Sequence, residues 1–301
     1  MISIIIINYN SSAFTRQCVQ SIQEKCRLPS YEIIVVDNNS EPEDAAGLEP
    51  LQRFPNLKLV ASRLNLGFAG GNMLGVQHID PRSTYYFFLN NDCVLVNDVP
   101  GLLLAYMEAN PAVGACTGQM FNGEGERDSS FAYFPTLGVK LLGHGLMRTF
   151  DREAYPPLRT AYTEPVRVPV VTGAALFVRR TAFDALGGLD TTYFLYCEEE
   201  DICKRLALSG WPSVLVPAAE FIHYSGASTR RRFAIEREFY ISLFYYYHKF
   251  AHPLMIPLYR LFYFFKNIRK AGRSKVYAQV AWSILKGSPR RESLRYGQKI
   301  R

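Results

Sequence analysis

The chain has 301 residues, of which 48% are hydrophobic and 20% charged, a balance that excludes a disordered chain. The length allows one large domain or two of ordinary size. The net charge of +7 is uneven: residues 251–301 contain twelve Lys/Arg residues and one acidic residue, Glu292. Residues 1–250 contain 22 basic and 26 acidic residues, so the basic character belongs to the C-terminal part.

The cysteines and the N-terminus both indicate an intracellular protein. The six cysteines form no CxxC pair and have no regular spacing, which predicts reduced, partly buried thiols. The apolar run ISIIII at residues 2–7 has no basic segment before it and no cleavage site after it. A buried strand explains this run better than a signal peptide does, and we expect a cytoplasmic location.

The first third of the chain alternates short apolar runs with helix-compatible segments. Strands are predicted at residues 2–7, 31–36, 57–62 and 84–89. Phe14, Cys18 and Ile22 have the spacing of a helix, and the Gly-rich segment 67–79 becomes helix-compatible. Continuous apolar strands separated by helices predict an α/β fold with a mostly parallel sheet covered on both faces.

The middle of the chain is less regular. Residues 123–130 and 151–165 are predicted loops, and a strand is predicted at 168–180. A short helix at 181–190 ends at Gly187-Gly188. The segment 193–210 predicts a helix lined by Ile202, Leu206 and Leu208 that ends at Gly210. A further strand at 212–217 leads into FIHYS at 221–225.

Residues 239–265 are dense in Tyr and Phe but contain Pro, His, Lys and Arg, so they are a poor candidate for a membrane-spanning helix. Two interpretations stay open. Aromatic residues with interleaved bases, followed by KNIRKAGRSK at 266–275, suit a membrane interface. Alternatively, these residues form helices that pack on the body and leave a solvated basic end. The segment has no nucleic-acid-binding signature, so we expect no nucleic-acid partner.

Polar residues follow three of the predicted strands. These are Asn8-Tyr9-Asn10, the segment DNNS at 37–40, and Asn90-Asn91-Asp92. Each alone is explained by turn formation. Ligands of open parallel sheets bind at the carboxyl ends of strands, so three such endings on one edge favour a site. There Asp37 would bind a ribose hydroxyl or a base edge, and Asp92 a metal.

Two common nucleotide-binding motifs are absent. A dinucleotide-binding fold requires GxGxxG after the first strand, where this chain has NYNSS, and the later glycines from Gly67 onward have the wrong spacing. The chain also has no GxxxxGK[ST] motif. Hydride transfer on a dinucleotide fold and a P-loop site are both excluded.

Four consecutive carboxylates at residues 198–201 form a second chemical signal. Acidic residues at a helix start are often simple capping residues. Crowded carboxylates repel one another and raise the proton affinity of at least one, which suits a general base. His223 follows a predicted strand and is either structural or a partner of Asp92, because imidazole and carboxylate suit Mn²⁺ or Mg²⁺.

Together these segments resemble a known enzyme family. IIIINYNS, EIIVVDNNS, NLGFAGGNMLG, YFFLNNDC, the segment from VTGAALF to EEEDICKRL, and IHYSGAS occur in that order over about residues 1–230. They resemble the family 2 inverting glycosyltransferases with the GT-A fold, especially the rhamnosyltransferase-like branch. The resemblance implies a nucleotide-sugar donor, a divalent cation (Mg²⁺ or Mn²⁺) and an acceptor hydroxyl.

The resemblance also implies roles for individual residues. Its metal motif DxD falls on Asn90-Asn91-Asp92, so Asn replaces the first Asp and leaves Asp92 as the metal carboxylate, with His223 as the late metal ligand. The family's Glu-Asp pair falls on Glu198-Glu199, which implies Glu199 as the base and keeps Glu198 as an alternative. The implied donor-binding residues are Asn8, Tyr9, Asn10, Asp37, Asn39, Asn65, Gly67, Gly71, Asn72, Asn90 and Asn91.

These implications define an expected function. Residues 1–235 would form the catalytic domain, and residues 236–301 a helical extension that associates with an anionic membrane. The enzyme would transfer a sugar, with L-rhamnose from dTDP-L-rhamnose as one candidate, to a lipid-linked cell-envelope glycan at the inner face of the bacterial plasma membrane. The two departures from the family's carboxylates leave an alternative, a non-catalytic nucleotide-sugar or glycan-binding protein on the same fold.

Overall fold

The computed structural model describes residues 1–158, 160–224 and 233–300. The described strands are β1 (Ile2–Asn8), β2 (Tyr31–Asp37), β3 (Leu57–Ala61), β4 (Tyr85–Asn90), β5 (Cys93–Leu95), β6 (Ala115–Phe121), β7 (Phe131–Ala132), β8 (Val166–Val168), β9 (Val170–Val171), β10 (Ala175–Arg179) and β11 (Ser213–His223). The α-helices are α1 (Ser12–Lys25), α2 (Pro42–Ala46), α3 (Gly67–Val76), α4 (Val99–Ala109), α5 (Leu137–Phe150), α6 (Arg180–Ala185), α7 (Glu198–Leu208), α8 (Phe233–Phe250), α9 (Ile256–Ile268) and α10 (Lys275–Leu285).

Within the described ranges, one large sheet has the order β3-β2-β1-β4-β10-β6-β11-β5, and β8 also pairs with β11. The half from β3 to β4 is parallel. In the other half, β10 runs antiparallel to both β4 and β6, and β6 and β11 are parallel. The predicted α/β fold is present, and its sheet is parallel in the first half and mixed in the second.

The apolar strands are buried on both faces, as their continuous runs predict. In β1, Ile4 and Ile6 belong to the core that contains Cys18 of α1 and Leu103 of α4. Ile5, which points to the opposite face, belongs to a second core with residues of α3, α6 and α7. The sheet therefore has helices on both sides, and its strand ends are free to form a site.

The predicted strand at 168–180 is three strands in the structure, β8, β9 and β10. Pro169 lies between β8 and β9 and has no N–H group with which to continue a ladder. Residues 172–174 form the turn before β10, where Ala175 N donates to Thr172 O. The second half of the run could therefore turn away and insert between β4 and β6.

The predicted helix at 193–210 begins later, at Glu198, and Ile202 and Leu206 are buried as expected. Leu208 was wrongly assigned to the same face: it is 69% exposed, because two residues along a helix point in nearly opposite directions. Gly210 ends this helix with φ of +82°, and Gly187-Gly188 follow α6 with φ of +76° and +77°.

The aromatic C-terminal segment packs on the body. Tyr247 of α8 stacks on Tyr259 of α9, and both belong to a third core together with Ile284 of α10. Tyr193 and Cys197, which precede α7, belong to this core as well. The aromatic helices therefore pack on the body, and the membrane interpretation, which is compatible with this packing, stays a prediction. Among the helices of the described ranges, none is long and apolar enough to cross a membrane.

Candidate active site

The three polar strand endings lie side by side at the carboxyl edge of the parallel half-sheet. Asn8 of β1 is paired in register with Asp37 of β2, and Ile7 is paired with Asn90 of β4. This adjacency follows from the strand order β2-β1-β4, because parallel strands end on the same edge. The order of these three strands along the chain did not show that β1 lies between β2 and β4 in the sheet.

Asn8 is fully buried and holds the surrounding segments together. Its Nδ2 lies 3.0 Å from Asp37 Oδ1, 3.0 Å from Ser40 Oγ and 2.9 Å from Asp44 Oδ2. Its Oδ1 accepts a hydrogen bond from Thr15 Oγ1 at 2.7 Å. Asn8 thus fixes the position of the Asp37 carboxylate and does not line the cavity itself.

Asp44 is part of this edge, although the sequence analysis did not single it out. Its carboxylate accepts hydrogen bonds from the backbone N–H groups of Ser11 and Ser12 at the start of α1, at 3.1 and 2.8 Å. Burial raises its pKa, but hydrogen bonds from Asn8, Ser12 and Ser11 outweigh this and lower it. The signal in the sequence was slight, since Asp44 lies among several acidic residues.

The loops after β1 and β2 adopt left-handed backbone conformations at two asparagines. Asn10 has φ of +52° and Asn39 has φ of +70°, which Asn tolerates better than most residues. Asn10 Oδ1 accepts a hydrogen bond from Glu41 N at 2.7 Å. Asn39 Nδ2 donates to the carbonyl oxygen of Lys299 at 2.8 Å, so the C-terminal end of the chain reaches this edge.

Asn38 organises the Gly-rich segment, although the sequence analysis gave it no role beyond its place in the segment DNNS. Its Nδ2 donates to Asn65 Oδ1 and to Gly67 O, both at 3.0 Å, and its Oδ1 accepts from Leu66 N at 2.9 Å. Gly67 has φ of +74°, and a Cβ there would collide with the carbonyl oxygen of Phe194. Glycine is therefore required at this position.

Gly71 and Asn72 lie deeper in α3. A Cβ at Gly71 would lie 3.2 Å from Asn38 Nδ2 and from Ile7 Cδ1, so a small residue lets α3 approach the sheet closely. Asn72 is buried, and its Nδ2 donates to Phe68 O within the helix at 3.1 Å. Both residues shape the segment beside the cavity and do not project into it.

Asp92 and His223 meet although 131 positions separate them. Asp92 Oδ1 lies 3.0 Å from His223 Nε2, and the two side chains are 13% and 15% exposed. Cys93 is near enough to belong to the same potential metal-binding group. Burial and the neighbouring Cys18 and Asp92 raise the pKa of Cys93 well above its usual value, so it is a neutral thiol and a poor ligand for a hard cation.

The two asparagines of the NND segment have different surroundings. Asn90 Nδ2 lies 3.4 Å from His223 Nε2, and Asn90 Oδ1 is buried with no hydrogen-bond partner among the described residues. Asn91 Nδ2 donates to Ser11 Oγ at 2.7 Å and Thr15 Oγ1 at 2.9 Å. A carboxylate, an imidazole and an unpartnered amide oxygen form a donor set that fits Mg²⁺ or Mn²⁺.

A cavity of about 750 Å³ opens at this edge. Its polar lining includes Tyr9, Asn38 and His223 together with residues 90–92, and Phe68 and Phe194 add apolar wall. The part of the chain assigned to the extension also contributes lining residues, which sequence reasoning missed because they lie in an aromatic helix and near the C-terminus. These are Glu236, Phe239 and Leu294, and the cavity is also lined by Ile235, the last residue assigned to the catalytic domain.

The acidic segment begins at a strained point of the backbone. Tyr196 and Cys197, just before α7, have φ of +74° and +68°. Left-handed conformations of non-glycine residues cost roughly 1–3 kcal/mol each and are concentrated at functional sites. Tyr196 lines the cavity, whereas the carboxylates of residues 198–201 are not among its lining residues.

Glu198 is buried, and Glu199 and Glu200 are half-buried. Partial or complete removal of water from the three carboxyl groups is the chief cause that raises their pKa values. The charge of Glu199 raises the pKa values of Glu198 and Glu200 further. A hydrogen bond between Glu199 and Glu200 lowers the pKa of Glu199 and raises that of Glu200. All three carboxyl groups therefore hold a proton more tightly than an exposed Glu side chain does.

The fourth carboxylate is structural. Asp201 is fully buried and bound by Arg205 at 2.5 Å, Lys249 at 2.6 Å and the hydroxyl of Tyr193 at 3.1 Å. By contrast, Glu199 faces Gly173, where a Cβ would lie 3.3 Å from its carboxyl carbon. Asp201 is thus held by ion pairs, whereas Glu198, Glu199 and Glu200 have a raised affinity for a proton.

His223 ends β11, and residue 225 onward of the motif IHYSGAS lies outside the described residues.

The fold is that of GT-A glycosyltransferases. The structure is similar to GalNAc-T7 with UDP, GalNAc and Mn²⁺, with a TM-score of 0.58 and 16% identity over 82% of this chain and 47% of that one. It is also similar to the mannosyltransferase PcManGT from Pyrobaculum calidifontis in complex with GDP-Man and Mn²⁺, with a TM-score of 0.58 and 17% identity over 82% and 63% of the chains. The chain thus spans less than two thirds of either solved chain, and the predicted fold class is confirmed.

The chain belongs to glycosyl transferase family 2, whose model matches residues 3–187. It is 29% identical over 251 residues to the N-acetylglucosaminyl-diphospho-decaprenol L-rhamnosyltransferase of Mycobacterium tuberculosis, covering 77% of this chain and 78% of the relative. It is 26% identical over 242 residues to the rhamnosyltransferase WbbL of Escherichia coli K12, covering 78% and 87%. The predicted family and the prediction of a glycosyltransferase enzyme are confirmed, which disfavours the non-catalytic alternative.

Proposed function

We propose that this glycosyltransferase transfers L-rhamnose from dTDP-L-rhamnose, with inversion, to a hydroxyl of a lipid-linked glycan of the bacterial cell envelope. The observation that carries the site is the shared cavity of Tyr9, Asn91, Asp92 and His223 at the carboxyl edge of the sheet. The choice of sugar is supported by the names of both rhamnosyltransferase relatives, and the choice of a diphospho-lipid acceptor by the name of the Mycobacterium tuberculosis enzyme.

The donor would lie along the edge formed by the first two strands and the Gly-rich segment. Asp37, held by Asn8, would face the nucleoside, where a carboxylate can accept hydrogen bonds from ribose hydroxyls or a base edge. The segment from Asn65 to Asn72, held by Asn38, would flank the diphosphate. Tyr9, which is 44% exposed in the cavity, offers a ring face to the base.

Asp92 and His223 would hold a divalent cation, Mg²⁺ or Mn²⁺, with the Asn90 carboxamide beside them. When bound, such a cation stabilises negative charge on the departing diphosphate. The protein's own contribution is a fixed pair of ligands on adjacent strands, because Asp92 precedes β5 and His223 ends β11. Asn91 anchors this corner to α1 through Ser11 and Thr15.

Glu199 would act as the general base. It takes the proton of the acceptor hydroxyl while the hydroxyl oxygen attacks the anomeric carbon opposite the diphosphate, so the configuration inverts. Its raised pKa increases its affinity for the proton that it receives. A second acidic carboxyl to protonate the leaving group, which glycoside hydrolysis requires, is unnecessary because a diphosphate is already a good leaving group.

We further propose that the enzyme acts as a peripheral protein at the inner face of the plasma membrane, with residues 236–301 as the associating extension. The excess of eleven positive charges in residues 251–301 supports this, since each Lys/Arg near an anionic surface contributes about 1 kcal/mol. Deleting this extension is a poor test, because α8 lines the cavity and contributes to a buried core. Point substitutions on the exposed face are required.

The replacement Glu199→Gln tests the function. We expect transfer of rhamnose to a prenyl-diphospho-N-acetylglucosamine acceptor to fall by about 10²–10⁴-fold, because a carboxamide cannot take the acceptor proton. Donor binding, followed by the thermal shift with dTDP-L-rhamnose and Mn²⁺, should persist. The matched control is Glu153→Gln at an exposed position. A Glu199→Gln protein with undiminished transfer would exclude this residue as the base, and a wild-type protein that consumes no donor would overturn the proposed donor and acceptor.

A further inference from the structure

A second pocket, of about 580 Å³, lies between α5 and α9, outside the donor cavity. Five basic side chains line it: Lys140, Lys266, Arg269, Lys270 and Arg273. The remaining lining consists of the rings of Phe262 and Phe265. The two helices meet near the pocket, where Leu137 N at the start of α5 donates to the hydroxyl of Tyr259 on α9 at 3.0 Å.

The described lining of this pocket is basic and aromatic. Among the described residues, no acidic side chain lines the pocket or forms a salt bridge with its basic residues. Burial together with the charges of Lys140 and Lys270 lowers the pKa of Lys266. Crowded cations of this kind are stabilised by an anion, and Arg and Lys side chains are common ligands of phosphate.

Exposed apolar side chains adjoin the basic ones on both helices. Leu141 and Leu142 follow Lys140 on α5 and are 60% and 54% exposed. Leu261 and Phe265 on α9 are 51% and 54% exposed. A basic pocket beside exposed apolar side chains fits a ligand that has phosphate at one end and hydrocarbon at the other.

Lys140 lies on α5, whose first residue, Leu137, packs against the core that contains Cys197, the residue before α7. The charge of Lys140 lowers the pKa values of Cys197 and Glu200, which lie on either side of Glu198-Glu199. Lys140 thus interacts electrostatically with both the basic pocket and the carboxylate segment. A ligand whose phosphate lies in the pocket would have its remaining part near the candidate base.

We propose that the pocket between α5 and α9 binds the diphosphate of the lipid that carries the acceptor sugar, with the hydrocarbon chain along the apolar side chains of both helices. This inference rests on the proposed function and adds the part of the acceptor that the donor cavity does not bind. The two phosphate groups of such a lipid match the five basic side chains of the pocket, and the pocket volume of about 580 Å³ is well above that of one phosphate group. The acceptor hydroxyl would then be presented to Glu199 from the α5 side.

The test measures binding of farnesyl diphosphate to the full-length protein in EDTA, without donor, so that neither turnover nor the metal site is involved. The pocket variant is Lys266→Glu/Arg269→Glu. The control is Lys25→Glu/Arg27→Glu, which has the same charge change. Its residues lie at and just after the end of α1, near the start of β2, at the edge of the sheet opposite the strand ends that form the donor cavity. We expect the pocket variant to lose at least about tenfold in affinity and the control to bind like wild type.

Further probes separate the sources of phosphate. Inorganic diphosphate and farnesol should each bind much more weakly than farnesyl diphosphate. Equal binding of inorganic diphosphate would indicate a free-anion site and overturn the lipid assignment. A pocket variant that loses binding to phosphatidylglycerol-containing vesicles but keeps farnesyl diphosphate would assign the pocket to phospholipid headgroups and also overturn the proposal, as would equal losses in pocket and control variants.

Two measurements guard against misinterpretation. A retained thermal shift with dTDP-L-rhamnose and Mn²⁺ would show that the pocket variant is folded, and the single replacement Arg273→Gln, at an exposed position, provides a milder variant expected to weaken farnesyl diphosphate binding. Failure of Arg273→Gln and of the double variant to weaken binding would overturn the proposal. Transfer by wild type in the same preparation reports on the proposed function independently.

Discussion

Glu198 and its two neighbours are ionisable groups in unusual surroundings. Glu198 is only 5% exposed, and its Oε2 has no hydrogen-bond partner among the described residues. Burial and the charge of Glu199 raise its pKa well above the usual value. The folded state therefore binds a proton here more tightly than the unfolded state does, and stability is lost as the pH rises above about 4.5, the ordinary value for Glu.

The replacement Glu198→Gln should therefore stabilise the protein at neutral pH. We expect the free energy of unfolding to rise by about 1–3 kcal/mol at pH 7.5, because the neutral amide avoids burying a charge or taking up a proton. The gain should shrink toward zero at pH 4, where the carboxyl group is protonated in both states. Urea unfolding at the two pH values measures this, with Glu153→Gln as the control. A gain of the same size at both pH values would exclude the titration of Glu198 as its cause.

Asn90 is the residue at which the metal motif differs from the family pattern, and its Oδ1 is buried without a partner in the described part of the chain. The replacement Asn90→Asp should lower the Mn²⁺ concentration at half-maximal thermal stabilisation, because the affinity of cation sites rises with the number of charged ligands. We expect a change of about tenfold. Without Mn²⁺, the same variant should be less stable than wild type, since Asp92 then faces a second carboxylate. Unchanged Mn²⁺ dependence would indicate that Asn90 does not face the cation.

At the scale of elements, α8 is the helix that joins the extension to the site. Lys249 binds Asp190 at 2.9 Å and Asp201 at 2.6 Å, and Tyr245 donates to Asp190 at 2.9 Å. Ser242 donates to the carbonyl oxygen of Leu195 at 2.7 Å. These contacts hold the second half of α8 against the segment that precedes and begins α7, and the first turns of the same helix contribute to the cavity wall.

The replacement Lys249→Met should weaken this attachment. Burial raises the pKa of Asp190, but hydrogen bonds from Lys249, Thr192 and Tyr245 lower it more, to about 2. Such a group stabilises the fold above its unfolded pKa of about 3.8 and loses that contribution as the pH falls toward 2. We therefore expect a loss of about 1–3 kcal/mol at pH 7 that diminishes below pH 4.

Urea unfolding over this pH range measures the effect of Lys249→Met, and the exposed replacement Lys286→Met is the control. Because Asp201 keeps Arg205 and Tyr193 as partners, the variant should remain folded at neutral pH. A pH-independent loss would attribute the effect to packing of the lysine stem and not to its charge.

At the scale of the whole molecule, the chain has a basic C-terminal part and a slightly acidic body. Four of the five basic side chains of the pocket belong to the extension, as do the exposed apolar residues Leu261 and Phe265 of α9. An anionic membrane bound there would be held by electrostatic attraction to the basic side chains and by burial of the apolar ones. Only the electrostatic attraction weakens as the salt concentration rises.

Binding to vesicles of phosphatidylcholine and phosphatidylglycerol should therefore weaken as the salt concentration rises from 0.05 to about 0.5 M, where charges are screened over a few ångströms. Co-sedimentation measures this, and vesicles of phosphatidylcholine alone are the control. Salt-independent binding that is equal for both vesicles would contradict an electrostatic contribution.

The sequence by itself determined the α/β class, the buried strands and the polar strand ends, because these depend on patterns within a few residues. Continuous apolar runs predicted burial on both faces, and Asp37 and Asp92 were identified because carboxylates at strand ends are evident locally. The family motifs added the expected pairing of Asp92 with His223. None of these inferences required the order of the strands.

Only the tertiary structure decided which distant residues meet. It inserted β10 antiparallel between β4 and β6, separated the structural Asp201 from Glu199 by pairing it with Lys249, and brought α8 and Leu294 to the cavity. It also joined Asn39 to Lys299, 260 positions apart. Local patterns record whether a side chain is apolar or charged, whereas its partner depends on packing of the whole chain, and so the extension became part of the candidate site only in the fold.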